Sequence, residues 1–191
     1  MRIHTVFVGL LATALVACGG SPTGPGGSGT LRVMLKDSPY SDAKSLLVTF
    51  SEVSVHKSDA AEESWIRLPF SGGASSRTCD LKKLVNAQDI LGTGPLSTGH
   101  YTQIRLTVTS SALYFDNAAT GSPCDATIST PAGRSAPVEI PSGQVKLNRE
   151  FDVSSSDATT ILLDFDGDRS VHETGNGRFM MSPVITVVSV Q

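Results

Sequence analysis

The chain has 191 residues, of which 39 % are hydrophobic and 17 % charged, a composition typical of a globular protein. Its net charge is −3 at neutral pH, with 15 basic against 18 acidic residues. Because the chain has neither a basic excess nor a basic run, we expect no nucleic-acid partner. A binding module, a structural protein and an enzyme are all consistent with this composition.

The first 17 residues have the features of a secretory signal. Arg2 gives a basic start, and an apolar run over residues 6–16 leads to small residues before Cys18. The run is too short for a permanent transmembrane helix. The letters LVAC that end at Cys18 resemble the bacterial lipobox, in which the cysteine is lipidated and becomes the mature N-terminus. We therefore expect residues 1–17 to be a signal peptide and Cys18 to carry acyl chains, palmitate among them, that anchor the protein in a membrane.

A tether is predicted for residues 18–29, which are rich in glycine, proline and serine. A segment of this composition buries little apolar surface and reaches about 20 Å on average. Gly19 stands where, by resemblance to the enterobacterial sorting rule, an aspartate would retain a lipoprotein at the inner membrane. We therefore expect the outer membrane of a two-membrane cell, on its periplasmic or its outer side. Residues 30–191 suit one domain.

Throughout this domain the apolar residues recur at every second position, which is the period of β-strands. Residues 46–50 keep their apolar phase on even positions, whereas Val53 and Val55 keep it on odd positions. Such a shift predicts a β-bulge near Ser51 and Glu52, or a strand that passes from one sheet to another.

In the middle of the chain the spacing of apolar residues changes from that of a strand to that of a helix. A short strand holds Trp65, the only tryptophan, for which a core position is favoured over an exposed platform. Residues 80–92, DLKKLVNAQDILG, place their leucines and valine on one helical face, with Asp80 as a cap and Gly92 as an end. We expect this segment to be the only helix of any length, docked on the sheets.

Two cysteines, Cys79 and Cys124, remain besides Cys18. In an oxidising envelope this even pair predicts a disulfide. Two free buried thiols are the alternative. A metal site is less favoured, because neither cysteine has a cysteine or histidine close by in the sequence.

The last third of the chain contains two exceptions to simple alternation. Arg149 falls in the apolar phase of VKLNREFDV, so it must extend to solvent, pair with an acid or lie at a bend. Pro183 interrupts RFMMSPVITVVSV and predicts an edge position or a bulge there.

The stretch LLDFDGDRS, residues 162–170, sets Asp164, Asp166 and Asp168 at every second position. A catalytic carboxylate pair is disfavoured, because neighbours on one strand face the same way instead of flanking a substrate. A calcium site needs the chain to bend at Asp166-Gly167, because oxygens on one ion are at most about 5 Å apart. We favour a strand end with solvated or backbone-bonded carboxylates, and keep the three aspartates as candidate calcium ligands; no other cofactor is expected.

Short strands at regular intervals with a single helix predict an all-β fold. We expect an antiparallel β-sandwich, Ig-like or transthyretin-like, of about eight to ten strands with one short helix. A closed barrel is the alternative.

Seven segments in order carry a resemblance to a known family. GTLRVMLKDSP, FSEVSVHK, DLKKL, GHYTQIRL, IPSGQVKL, LLDFDGDRS and SPVITVV resemble the bacterial domain of unknown function numbered 4382. The resemblance covers nearly the whole mature domain. It implies a secreted or lipid-anchored β-sandwich of the cell envelope, and it implies no activity and no site.

No catalytic motif stands out in the mature chain. His56, His100 and His172 lack metal-ligand spacing, and no G-x-S-x-G elbow is present. We therefore expect a non-catalytic envelope lipoprotein whose domain binds or adheres to a glycan or a protein. A purely structural envelope component is the alternative; a calcium-binding module and an envelope hydrolase are less favoured.

Overall fold

The computed structural model describes residues 26–38 and 41–191. The predicted signal peptide of residues 1–17, the lipidation site Cys18 and the tether up to residue 25 lie outside this part. The first strand begins at Ser28, two residues before the predicted domain boundary. None of the helices in the described part is long and apolar enough to cross a membrane.

Strands make up most of the described residues. Thirteen are found there: β1 Ser28–Ser38, β2 Ser45–Lys57, β3 Trp65–Leu68, β4 Arg77–Asp80, β5 Asp89–Ser97, β6 Gly99–Tyr114, β7 Cys124–Asp125, β8 Ser135–Glu139, β9 Gln144–Val153, β10 Ala158–Asp166, β11 Val171–Gly175, β12 Arg178–Met181 and β13 Ile185–Val190. The helices of the same residues are two 3₁₀ turns, Ser71–Gly73 and Leu81–Leu84, and the four-residue α1, Gly167–Ser170.

The strands form two sheets. The first has the order β13-β10-β1-β5, and the second has the order β11-β12-β8-β6-β2-β4-β7, with β3 also beside β2 and β9 also beside β6. The predicted all-β sandwich is confirmed, although the described residues form thirteen strands where about eight to ten were expected. Its strands are not all antiparallel, because β1 runs parallel to β10 and β12 runs parallel to β8. A parallel pair needs a long crossover, and the chain between β1 and β10 supplies it while building most of the second sheet.

The hydrophobic core lies between the sheets as one cluster. Alternate residues of the central strands are fully buried, as are Leu31, Val33 and Leu35 in β1 and Leu163 and Phe165 in β10. The residues between them face outward and are mostly polar, as expected for sheets with one buried and one open face.

Two irregularities keep this alternation in phase. In the β2–β6 pair, Phe50 lies opposite Val108 and Glu52 opposite Thr107, so Ser51 is an extra residue. The predicted bulge is therefore confirmed. In the β6–β9 pair, a second register shift leaves Arg149 at a bulge, where it is exposed and needs no buried partner.

The helix predicted for residues 80–92 is wrong. The segment contains only the 3₁₀ turn Leu81–Leu84 and then enters β5. The leucines of the turn are buried, so the apolar stripe marks packing and not a long helix. Gly92, Gly94 and Pro95 disfavour a helix further on. A Cβ on Gly94 would stand 2.8 Å from Pro69 Cδ, so the strand needs glycine where Pro69 approaches.

The predicted disulfide is confirmed. Cys79 in β4 lies directly opposite Cys124 in β7, with their Cα atoms 4.0 Å apart. Arg77 Nη2 donates to the Cys124 carbonyl at 3.2 Å and to Asp89 Oδ1 at 3.0 Å. Asp89 Oδ2 accepts from the Cys124 N–H at 3.1 Å. The short strand β7 is thus fixed by the disulfide and by the Arg77–Asp89 ion pair, both of whose side chains hydrogen-bond to the Cys124 backbone.

We expect the double substitution Cys79→Ala with Cys124→Ala to lower the free energy of unfolding by about 4 kcal/mol. The disulfide spans 45 residues of chain, and closing a loop of this length removes that much entropy from the unfolded chain in the chain-entropy account. Urea unfolding with and without a reductant measures the effect. The reductant should not change the double variant; equal midpoints for the parent under both conditions would contradict the expectation.

Candidate ligand-binding surface

Two of the three aspartates singled out by the sequence are held by different partners. The Asp164 carboxylate lies 2.7 Å from Lys36 Nζ and accepts a 3.2 Å hydrogen bond from Ser38 Oγ, both in the parallel neighbour β1. The Asp166 carboxylate caps α1 by accepting from the Arg169 N–H at 3.0 Å. Each carboxylate therefore stabilises the end of β10 in its own way.

The chain turns directly after Asp166. The Gly167 N–H at the start of α1 donates to Asp37 Oδ1 at 3.2 Å. The turn leads Asp168 to another loop, where its Oδ1 accepts from the Ser41 N–H at 3.1 Å. The bend that a calcium site requires is present, but within the described residues no group of three or more His, Cys, Asp or Glu side chains is placed to hold a metal. The calcium site stays a prediction.

Asp37 is a buried carboxyl that the sequence did not mark. It is 3 % exposed, and its Oδ2 has no hydrogen-bond partner. Burial raises the pKa of Asp37 to about 8; the Gly167 N–H opposes the rise, the charges of Asp164 and Asp166 add to it, and Lys82 opposes it. The protonated form therefore predominates in the folded protein at neutral pH.

Asp168 reaches the edge of a cleft of about 470 Å³. The rings of Phe115 and Phe179 in this cleft have centroids 5.9 Å apart. Asp42 also lines it, and the Asp42 carboxylate accepts from Ser41 Oγ at 3.0 Å. Both aspartates thus accept a hydrogen bond from Ser41.

The outer face of the second sheet carries a group of charged, amide and aromatic side chains. We call the part of this outer face around Trp65 the Trp65 face; its members alternate with buried core residues along β2 and β6 and pair in register with β3 and β9. It consists of Glu52, Ser54, His56, Trp65, Arg67, Gln103, Arg105, Lys146 and Asn148.

The core position predicted for Trp65 is wrong. Trp65 opens β3 opposite His56 and is only half-buried. The sequence held a signal for this placement, because Trp65 shares its strand phase with charged Arg67, whereas Leu68 lies in the opposite phase and is buried. The indole therefore lies on the open face of the sheet.

A charged network organises the centre of the Trp65 face. Glu52 forms an ion pair with Arg67, accepts from Arg105 Nη2 at 2.9 Å and accepts from Ser54 Oγ at 2.8 Å. Burial opposes ionisation of Glu52, but the hydrogen bonds from Arg67, Arg105 and Ser54 outweigh it and lower the pKa of this carboxyl to about 2. Glu52 stays ionised above that pH and holds both guanidinium groups in place.

Cations surround the indole ring. Arg105 Cζ lies 4.3 Å and Lys146 Nζ 5.5 Å from the Trp65 ring centroid, both within the range of cation–π attraction. The His56 ring lies 5.4 Å away. Next to them, Gln103 Nε2 donates to Asn148 Oδ1 at 3.0 Å. An aromatic surface, two cations and amide groups therefore meet on one side of the sheet.

A cleft adjoins the Trp65 face at Lys146. Its volume is about 340 Å³, near the lower end of the range for small-ligand sites. Its lining comprises Pro141, Ser142, Gln144, Val145, Lys146, Met181, Ser182 and Pro183. Pro183 lies between β12 and β13, so the predicted closing strand is two strands. Lys146 belongs both to this cleft and to the surroundings of Trp65.

The fold and the disulfide define an all-β sandwich domain bridged by one cystine. The chain belongs to the family described as Domain of unknown function (DUF4382), whose model matches residues 28–183. The family resemblance drawn from the seven segments is thereby confirmed. No curated protein and no solved structure matches the chain.

We expect Asp37→Asn to flatten the dependence of stability on pH. The pKa of Asp37 is raised from 3.8 to about 8 on folding, so between these values the folded protein holds a proton that the unfolded chain has released. The free energy of unfolding then falls as pH rises through this window. The variant lacks this loss and should be more stable than the parent above about pH 8 by at least about 1 kcal/mol.

Urea midpoints over a pH series measure this difference. Asp157→Asn, at an exposed position, is the matched control and should keep the parent's slope. Identical slopes for the parent and Asp37→Asn would show that the Asp37 carboxyl does not titrate in this window.

Added calcium should leave the thermal midpoint unchanged, because Asp164, Asp166 and Asp168 already have bonded partners that calcium would have to displace. Thermal unfolding with millimolar calcium and with a chelator tests this. A ligand present at 100 times its dissociation constant would add about 2.7 kcal/mol. An upward shift that Asp166→Asn abolishes would establish the calcium site instead.

Proposed function

We propose that the protein is a non-catalytic lipoprotein of the cell envelope, anchored in the outer membrane through Cys18, whose sandwich domain binds a glycan on the Trp65 face. The lipobox-like LVAC sequence and Gly19 support the anchor and its location. The cystine supports an oxidising compartment, because disulfides persist there and are rare in the cytosol.

The position of Trp65 is the observation that carries glycan binding. An indole in the core would serve packing alone, whereas this one is half-buried on an open face. An aromatic ring offers a rigid apolar surface to the C–H side of a sugar ring, and amide and charged groups beside it can bond to sugar hydroxyls. Trp65, with Gln103, Asn148 and Arg105, supplies this combination.

The entry point of the chain is compatible with such a site. The Gly27 carbonyl accepts from the Thr98 N–H at 2.7 Å, so the N-terminal end lies beside the start of β6. Arg105 is six residues further along β6 than Gly99, about 20 Å in an extended strand. The centre of the Trp65 face is therefore separated from the point where the described chain enters the sandwich.

Cys18→Ser should abolish membrane anchoring. The parent should incorporate a labelled fatty acid and enter the detergent-rich phase on phase separation, because acyl chains add about 0.8 kcal/mol per buried methylene. The variant should do neither, whereas Ser21→Ala, three residues away, should behave like the parent. Equal labelling of the parent and Cys18→Ser would remove the proposed anchor.

Trp65→Ala should weaken glycan binding at least tenfold, the equivalent of about 1.4 kcal/mol, because the stacking surface is lost. The detergent-solubilised full-length protein is applied to a glycan array, and the dissociation constants of its hits are measured by calorimetry. Tyr114→Ala, which removes a half-buried aromatic at the other end of β6, is the control. An empty array, or hits that Trp65→Ala retains, would favour a protein ligand or a structural role.

A further inference from the structure

The Trp65 face carries a charge opposite to that of the whole protein. Arg67, Arg105 and Lys146 contribute three positive charges to it, and Glu52 contributes one negative charge. The face thus has a surplus of two positive charges on a chain whose net charge is −3. A surface of one sign on a protein of the other sign attracts ligands selectively by charge.

Lys146 is the cation that is left for a ligand. Among the described residues, it forms no ion pair, and its side chain is exposed. It lies opposite Arg105 in the β6–β9 register, so its ammonium group stands beside a guanidinium group on the same face. Two adjacent cations of which only one is neutralised make a site for an anionic group.

Arg105 is fixed before any ligand arrives. Its Nε donates to Ser54 Oγ at 3.3 Å and its Nη2 donates to Glu52 Oε1 at 2.9 Å. A guanidinium group has five N–H donors, so these two bonds leave others for a ligand. Because the side chain is already ordered, binding through it costs less conformational entropy.

The cleft next to Lys146 can hold a further part of an extended ligand that begins at Trp65. Lys146 is the only charged residue in its lining, and the other polar groups there include Ser142, Gln144 and Ser182. A chain of sugars that contacts Trp65 can therefore cross Lys146 and place its next unit in a cleft whose other lining residues are uncharged and include apolar Pro141, Met181 and Pro183. The order of these features fits a polymer better than a single small anion.

We propose that the ligand of the Trp65 face is an anionic glycan, whose acidic groups bind Lys146 and Arg105 while its sugar rings contact Trp65 and the adjoining cleft. This inference rests on the proposed glycan-binding function and adds the charge of the ligand. Single-stranded nucleic acid also combines negative charge with flat rings, but sites for it use several aromatic residues along a basic groove. The Trp65 face offers one such ring.

The experiment compares pairs of glycans that differ in charge. Polygalacturonate is paired with its methyl ester, and chondroitin sulfate with desulfated, carboxyl-methylated chondroitin. The full-length protein in detergent is titrated with each, and because Trp65 is the only tryptophan, its fluorescence reports binding at this face directly. At least one acidic glycan should bind at least tenfold more tightly than its neutral partner, and added salt should weaken it.

Lys146→Met separates charge from stacking. It should weaken binding of the acidic glycan at least tenfold and weaken any binding of the neutral partner much less. Lys44→Met is the matched control, because Lys44 is exposed and outside the Trp65 face. Unfolding midpoints of both variants should equal that of the parent, which shows that they fold.

Each other result overturns the inference in a distinguishable way. Equal binding of acidic and neutral partners removes the anionic ligand and keeps the glycan-binding function. Equal binding of a thymidine oligonucleotide reveals a general polyanion surface. If neither acidic glycan changes the fluorescence, the inference is overturned. If the glycan array is also empty, the proposed glycan-binding function is overturned as well.

Discussion

The β2 and β6 strands hydrogen-bond to each other from Ser45 and Tyr114 at one end to Lys57 and Tyr101 at the other. The rest of the second sheet depends on this ladder, because β3 and β4 attach to the free side of β2 and β8 and β9 to the free side of β6. A strand this long accumulates twist, and the bulge at Ser51 resets its phase. Without that extra residue, one half of β2 would turn its valines outward and Glu52 and Ser54 inward.

Buried polar groups tie the loops to this ladder. Asp80 is fully buried, and it accepts from Ser45 Oγ at 2.8 Å and from the Leu46 N–H at 3.2 Å, at the start of β2. Burial raises the pKa of Asp80, and the hydrogen bonds from Ser45 and Leu46 oppose that rise. Ser45 Oγ in turn accepts from the Ala119 N–H at 2.7 Å, so one small network joins β2, β4 and a distant loop. Such a network is stable only when its members are all bonded, and it therefore specifies one arrangement of these loops.

Local patterns predicted the parts of the fold that depend on local geometry. Alternation of apolar residues identified most strands, the change of phase before Val53 located the bulge, and the even number of cysteines after Cys18 identified the disulfide. The spacing of apolar residues gave a wrong prediction where tertiary packing determines the structure. Residues 80–92 have leucines at helical spacing, but Leu81 and Leu84 fill the core from a single 3₁₀ turn, and the glycines that follow extend into β5.

The candidate site could not be predicted from local sequence patterns, for a different reason. Trp65 gains its cations from β6 and β9, which follow it by tens of residues, and only the pairing register brings Arg105 and Lys146 beside it. The same holds for Asp164, whose partner Lys36 comes from a parallel strand that no turn connects to it directly. Sequence alone made the carboxylates of LLDFDGDRS candidate ligands of one ion; in the structure, Lys36 and Ser38 of the neighbouring strand bind Asp164.

The parallel pairing of β1 with β10 also determines how the domain bears a mechanical load. The chain enters the sandwich at β1, and β1 is the strand that lies between β10 and β5 in the first sheet. A pull on the N-terminus is directed along this strand, so the hydrogen bonds on both of its sides are loaded together in shear and do not open one after another from a free edge. The first strand of the domain is thus built into the middle of a sheet, where detaching it requires breaking two ladders at once.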